Sequence, residues 1–375
     1  MLLTSLVLSN VRNYGELEFE PSQGLNVFVG ANAQGKSNLL EAIALLGTGK
    51  SFRTNKEGDL IAQGMESAAI SGEARMRVGS VRLGCTIGAG ARGTRKVYTV
   101  NGQSVRYAKF LGSLRVVTFV PADLQLVSGP PGGRRAFLNV ALSQEQPLYF
   151  RDLARYHKVL QQKSALLRTF GHPDPDLLDI YNGTLVETGT AVMLARRRFC
   201  SALAGAAARV HAQWTGGRER LEVRYEPNVV LDVPAAEAVA AAFAARLRSV
   251  HDAELARKAT LAGPHRDDLA FFLNGAPLGA YGSQGQQRTA VLALKVAEYN
   301  VMHERSGEAP LLLLDDVLSE LDAARAAAFL EGVGNYEQAF ITATQLPREL
   351  PPASVFSVRA GNVRAEPAAI TAEIA

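Results

Sequence analysis

The chain of 375 residues is poor in the side chains that build covalent or metal frameworks. Its two cysteines, Cys85 and Cys200, are too few for a disulfide scaffold or a thiolate cluster, so a reducing cytoplasm is the expected setting. Six histidines lie scattered, without the spacing of a zinc site or a catalytic constellation. No run approaches the about 18 apolar residues of a membrane span, and Met1-Leu2-Leu3-Thr4-Ser5 lacks the basic and apolar regions of a signal peptide. Membrane functions are therefore not expected. What remains, 47% hydrophobic and 20% charged, is an ordinary globular composition with length for two or three domains.

Charge is unevenly spread. Residues 1–120 carry 14 Lys/Arg against 8 Asp/Glu, residues 121–257 carry 17 against 14, and residues 258–375 carry 9 against 14. A basic first third suits a polyanion partner, and it equally suits a surface that avoids self-association.

The most informative stretch is Gly30-Ala31-Asn32-Ala33-Gln34-Gly35-Lys36-Ser37, which fits G-x-x-x-x-G-K-[ST], the loop that cradles nucleotide phosphates. Glycines at its ends let backbone N–H groups converge on an anion, Lys36 adds a point charge, and Ser37 offers a hydroxyl to Mg²⁺ at a helix N-terminus. The context is as required: an apolar strand over 25–29 precedes it, and a helix-forming run over 38–46, with Gly47 as its expected end, follows. A second Gly49-Lys50-Ser51 fails, because Ala44 stands where the leading glycine would be.

Along the chain, 3–20 alternates as two strands linked by 10–15. Residues 69–78, 81–87 and 95–100 form a meander closed by an Asn101-Gly102 turn, with Arg75, Arg77, Arg82, Arg92, Arg95 and Lys96 expected to face outward. A strand over 116–120 ends at Pro121. From 121 to about 257, Ala-, Leu- and Arg-rich segments at helical period indicate an inserted, mainly helical unit. There Arg151, Arg155, Lys158 and Gln162 share one helix face opposite Leu153, Leu160 and Leu167, whereas Arg196-Arg197-Arg198 points three ways around its helix. An α/β pattern then returns. Gly263-Pro264-His265-Arg266-Asp267-Asp268 precedes a strand over 269–273, and Tyr281-Gly282-Ser283-Gln284-Gly285-Gln286-Gln287 leads into a helix over 286–305. A buried strand over 311–314 ends in Asp315-Asp316, at the carboxyl edge where parallel sheets bind ligands. A helix over 322–332, a strand over 338–342, a short strand over 355–358 and a tail without evident role complete the reading.

The order of phosphate loop, Ser-x-Gly-Gln turn and apolar run ending in Asp-Asp resembles ABC-type ATPase heads of the Rad50/SMC branch. Along its whole length the chain is similar to the RecF family of bacterial recombination mediators. The residues carrying this closer match are Val11-Arg12-Asn13-Tyr14, Ser51-Phe52-Arg53, Gly263 to Asp268, Ser283 to Arg288 and Leu314-Asp315-Asp316-Val317-Leu318-Ser319-Glu320-Leu321-Asp322. The 247 positions from Lys36 to Ser283 contain no sustained heptads, so the head lacks the coiled-coil arm of SMC-like and Rad50-like chains. The implied fold is α/β, a P-loop ATPase head over 1–120 and 258–375, including the meander at about 69–100, with 121–257 as a helical second lobe.

The resemblance also implies roles. Lys36 holds the β- and γ-phosphates of ATP, Ser37 and Asp315 hold Mg²⁺, and Asp316 stands at the position of a catalytic glutamate. Arg12 and Asn13 approach the nucleotide; Ser283, Gln284, Gly285 and Gln286 cap the ATP of a partner subunit; Ser319 and Asp322 form a loop touching across a homodimer. Gln284 replaces the first glycine of the usual Ser-Gly-Gly-Gln, Thr342-Ala343-Thr344 carries no histidine at the γ-phosphate sensor position, and Gln125 is a candidate for the Gln-loop. The implied activity is a weak, DNA-stimulated ATPase that switches a clamp on single- and double-stranded DNA. Its implied partners are RecO and RecR, in recombinase loading at gaps, replication restart and SOS induction. A transporter ATPase subunit shares the nucleotide motifs and is disfavoured by the motif from Gly263 to Asp268. A nuclease subunit needs an acidic metal cluster outside the ATP site, and the sequence shows none.

Overall fold

The computed structural model describes residues 1–90, 93–169, 173–230, 235–317, 329, 336–346 and 350–366. Arg92, Ser319, Asp322 and, Phe329 apart, the helix expected over 322–332 lie outside the described residues.

Two six-stranded sheets enclose one helix. The first is antiparallel, in the order β2-β1-β4-β5-β6-β7, from β1 (Leu2–Val11), β2 (Tyr14–Phe19), β4 (Ser67–Met76), β5 (Gly79–Gly90), β6 (Gly93–Val100) and β7 (Gln103–Val105). The second runs β15-β14-β3-β13-β12-β8. Its strands β3 (Gly24–Val29), β8 (Val116–Phe119), β12 (Leu311–Leu314), β13 (Gln338–Ala343) and β14 (Ala353–Arg359) are parallel, and β15 (Asn362–Ala365) closes the edge antiparallel to β14. Strand alternation gives this sheet two apolar faces. Leu311, Leu313, Phe340, Phe356 and Val358 face α1 (Lys36–Thr48) and the antiparallel sheet, forming one core. Leu312, Leu314, Ala339 and Ile341 face the other way, into a core shared with α4 (Pro131–Glu145), α6 (Pro175–Thr215) and α10 (Gln284–Ser306). The four-leucine run is buried throughout because both faces are covered.

Several boundaries differ from the sequence reading for packing reasons. The β1–β2 link is only Arg12 and Asn13, with Arg12 in the left-handed region at φ 54°. Helix α1 passes through Gly47 and is capped by Gly49 at φ 65°; a Cβ on Gly47 would lie 2.7 Å from Val116, so this glycine lets the helix lie against β8. Helix α10 begins at Gln284. The tail forms the hairpin β14–β15, and the stretch 121–257 contributes a strand, β9 (Leu221–Glu226), paired with β10 (Asp268–Leu273). Lys96, expected to face outward, turns in: its side chain is 6% exposed, 2.7 Å from Glu57 and 3.0 Å from the Gly49 carbonyl.

The motif from Gly263 to Asp268 forms a polar hub around the buried Asp267, with Arg266 exposed. Asp267, fully buried, accepts from Arg196 Nη1 at 2.9 Å, from the Asn228 N–H at 2.9 Å and from the Tyr225 hydroxyl. Arg196 also donates to Pro264 O at 2.6 Å and to Asn139 at 2.9 Å, so the first arginine of the triplet points into the protein. Arg134 on α4 clasps Asp268 at 2.6 and 2.8 Å and donates to Gly129 O at 2.7 Å. The exposed stripe of Arg151, Arg155, Lys158 and Gln162 lies on α5 (Pro147–Leu166), with Leu153 and Leu167 buried as expected.

His265 sits in this hub as a neutral ring. Its Nε2 lies 3.2 Å from the Thr260 carbonyl, which only accepts, so Nε2 carries the proton and Nδ1 accepts from the Tyr156 hydroxyl at 2.6 Å. Burial pushes the imidazole down to about 4, and Arg266, Arg135 and His157 push the same way against the Thr260 carbonyl. A folded value below the unfolded value of about 6.5 gives stability that is complete above that pH and is lost as the pH falls toward 4. His265→Gln keeps a donor and an acceptor without titrating. In urea unfolding from pH 6.5 to 4, wild type is expected to lose about 3 kcal/mol more than this variant; equal losses would contradict the neutral ring.

Candidate nucleotide-binding site

The motif loop spans the gap between β3 and α1, at the carboxyl edge of the parallel sheet. Its two glycines are required by close approach. A Cβ on Gly30 would lie 2.3 Å from the Val358 carbonyl of β14. Gly35, at φ 117°, would place one 2.7 Å from the Asn13 amide and 2.9 Å from the Tyr14 hydroxyl. Tyr14 donates to Gly35 O at 3.0 Å. Gln34 is gripped from two sides: Asn13 Nδ2 donates to its carbonyl at 3.0 Å, and the β14–β15 turn donates through Ala360 N to its side chain at 2.8 Å and through Gly361 N to its carbonyl at 3.1 Å.

Lys36 folds across the loop, its Nζ donating to Gly30 O at 2.6 Å and Ala31 O at 2.9 Å. Burial draws its amine below the ordinary lysine value, while the carboxylates of Asp316 and Asp315 pull it back up. Ser37 Oγ donates to Asp315 Oδ1 at 2.7 Å, and Thr342 Oγ1 donates to the same oxygen at 2.8 Å. The Asp316 N–H donates to Thr342 Oγ1 at 2.9 Å, in a backbone turned to φ 52°. Thr342 thus ties both aspartates to β13. The Ser37 hydroxyl and Asp315 carboxylate are adjacent hard oxygen donors, a set that fits Mg²⁺ completed by phosphate oxygens and water. Among the described residues no cluster of three or more His, Cys, Asp or Glu suits a metal.

A cleft of about 310 Å³ opens over the loop, lined by Gly35, Lys36, Ser37, Arg53, Asp316 and Thr342, with Asn32, Ala33, Asn38 and Thr344. Arg12 and Asn13 stand behind it. Arg12 is clasped by the buried Glu41 through two bonds of 2.9 Å, and Asn13 accepts from Asn38 at 2.7 Å. Glu41 also takes the Ser51 hydroxyl, and Arg53 donates to Asn38 at the rim. The sequence reading gave no site role to Glu41, Asn38 or Thr342; Asn38 and Glu41, polar residues three apart on the helix that follows the motif lysine, carried an available signal, and Thr342 on β13 carried none. The Ser283–Gln286 turn contributes nothing to this cleft and caps α10. Gln125 is exposed at the start of α3 (Gln125–Ser128), just beyond β8, the strand that flanks β12.

A family model described as RecF/RecN/SMC N terminal domain matches residues 2–349. The DNA replication and repair protein RecF of Symbiobacterium thermophilum is 43% identical over 373 residues, covering 97% of this chain and 98% of that relative. The chain belongs to the RecF family. A solved structure of the recombination mediator protein RecF with ATP, described as part of the RecFOR pathway, shares 33% identity and a TM-score of 0.88 over 98% of both chains. The SMC head domain of Pyrococcus furiosus, at 15% identity and a TM-score of 0.57 over 100% of this chain and 98% of that one, shares the fold. The RecF-family chain is thus an ABC-type α/β head of the SMC kind, as the order of motifs implied. Among the described residues no helix is long and apolar enough to cross a membrane.

The contacts around Gly35 generate a test of the loop. Gly35→Ala must move the Asn13 and Tyr14 side chains and hold φ near 117°, at a cost of about 1–3 kcal/mol. Its thermal unfolding midpoint is expected to fall accordingly, and an unchanged midpoint would mean the loop is not held by this packing.

Proposed function

We propose that this chain is an ATP-operated DNA clamp of recombinational repair, acting in the cytoplasm with RecO and RecR, in which two copies sandwich two ATP molecules. In this reading 1–120 and 258–375 form the ATPase head and 121–257 the second lobe. The observation that carries it is the union of Ser37, Asp315 and Thr342 around one carboxylate oxygen beneath a phosphate loop. Family membership and the RecF–ATP relative support the choice of nucleotide.

The amides of 33–37 and the Lys36 amine bind the β- and γ-phosphates. Lys36 must release the Gly30 and Ala31 carbonyls to do so, a local rearrangement confined to one side chain. Ser37 and Asp315 hold Mg²⁺, which when bound neutralises charge on the phosphates. Asp316, one methylene shorter than the glutamate of relatives, orients the attacking water, consistent with slow turnover. Arg12 and Asn13 act on the nucleotide by fixing Glu41 and Gln34 around the loop, and Arg53, which lines the cleft, adds positive charge beside the phosphates.

A second copy supplies Ser283, Gln284, Gly285 and Gln286 to the γ-phosphate, with its Ser319 and Asp322 alongside. Hydrolysis removes that contact and opens the pair. DNA is held chiefly through its phosphates, on the exposed arginines of the meander and on the Arg151, Arg155 and Lys158 stripe, without sequence reading.

Light scattering with ATP and Mg²⁺ tests the clamp. Wild type is expected to pass from monomer to dimer only with ATP, and Lys36→Met and Ser283→Arg to stay monomeric; a wild type indifferent to nucleotide would refute the reading. DNA affinity is expected to fall linearly in log–log plots against salt, and Arg151→Glu with Arg155→Glu to flatten that slope by about one to two; an unchanged slope would remove the stripe from the DNA surface.

A further inference from the structure

The Ser283 turn owes its shape to a residue far away in sequence. Ser283 Oγ accepts from the Gln286 N–H at 3.2 Å, and Gln286 Oε1 accepts from the Ser283 N–H at 2.9 Å, a reciprocal cap on α10. The other end of the same amide, Gln286 Nε2, donates to Glu219 Oε1 at 2.9 Å. A carboxylate only accepts, so Glu219 selects the amide orientation that leaves Oε1 facing Ser283. The reversed amide would set its NH₂ against the Ser283 N–H and its oxygen against the Glu219 carboxylate, donor on donor and acceptor on acceptor. Gln284 and Gly285 are the first two residues of α10, so their N–H groups have no acceptor within the helix, and they sit at a turn where Ser283 and Gln284 are exposed.

Glu219 is itself held in place. It follows the end of α6 through Gly216 and Gly217, at φ 59° and 72°. Next to it, Arg220 exchanges two bonds with Asn274, Arg220 N to Asn274 Oδ1 at 2.8 Å and Asn274 N to Arg220 O at 2.9 Å. Its second oxygen lies 3.6 Å from His211 Nε2 on the buried face of α6. The carboxylate therefore presents the position of the 41-residue helix α6 to the Ser283 turn.

We propose that Glu219 is a positioning residue for the Ser283 turn: by accepting from Gln286 it holds the turn with its donors directed at the terminal phosphate of a partner subunit's ATP. This rests on the reading of that turn as the cap of a partner's nucleotide. It adds a residue outside every motif of the head, and it gives α6 a direct grip on the closing surface.

The test is ATP-dependent dimerisation of the full chain by light scattering, with ATP affinity measured separately on the monomer. Glu219→Ala is expected to need about tenfold more ATP to dimerise, the loss of one charge-assisted hydrogen bond, with monomer ATP affinity unchanged. Glu219→Gln, whose amide oxygen still accepts from Gln286, is expected to behave as wild type. Glu219→Asp keeps the charge, is too short to reach, and should resemble Glu219→Ala; it serves as the readout if the alanine variant does not fold. In a double-mutant cycle, Glu219→Ala added to Gln286→Ala should cost nothing further. Normal dimerisation of Glu219→Ala or Glu219→Asp while Ser283→Arg fails would overturn the positioning role alone, as would additive losses in the cycle. A wild type that ignores ATP would overturn the cap reading with it.

Discussion

One carboxylate oxygen organises the nucleotide end of this molecule. Asp315 Oδ1 accepts from Ser37 at the head of α1 and from Thr342 on β13, while its own N–H bonds to Phe119 O at the end of β8. Four elements far apart in the chain are thereby registered at a single point. A buried carboxylate is costly unless its acceptor sites are filled, and here the hydroxyls that fill them are also the groups that border the phosphate cradle. Binding geometry and fold stability are consequently properties of the same few bonds.

The cradle depends on how closely backbone can approach backbone. Gly30 lies against β14, Gly35 against the β1–β2 turn, and Gln34 is clasped by that turn and by the one joining β14 to β15. The loop is thus shaped by both sheets, with α1 packed between them. Behind it, Glu41 gathers Arg12 and Ser51 into a buried charge cluster, so the Val11-Arg12-Asn13-Tyr14 and Ser51-Phe52-Arg53 segments meet on one helix face.

The other half of the proposed clamp is governed by polar contacts of a different kind. Asp267 and Asp268 take up Arg196 and Arg134 from two helices, and Glu219 carries the end of α6 to Gln286. A pair such as Arg196–Asp267, buried in a low-dielectric setting, restricts the arrangement of the groups around it more than it adds net stability. That is a suitable property for a part of the molecule that, in the proposed clamp, presents a turn to a second copy.

The nucleotide end was legible from residue order, because the phosphate loop and the Asp-Asp strand end are local patterns whose chemistry follows from their spacing, whereas the Ser-x-Gly-Gln turn took its role from resemblance. The parallel sheet was legible for a similar reason: a four-leucine run bounded by carboxylates has few other uses. What tertiary structure alone decided were the pairings between distant polar residues. Arg196 was one of three arginines pointing three ways around a helix and Lys96 an expected outward cation, yet Arg196 meets the buried Asp267 and Lys96 folds in to the half-exposed Glu57, pairings that no periodicity marks. Thr342 stood only as a missing histidine until β13 brought it to Asp315, and Glu219 had no signal at all. Hydrophobic period reports on which face is buried; it carries no information about which charge crosses the core to meet which, since that is set by how the sheets and helices dock.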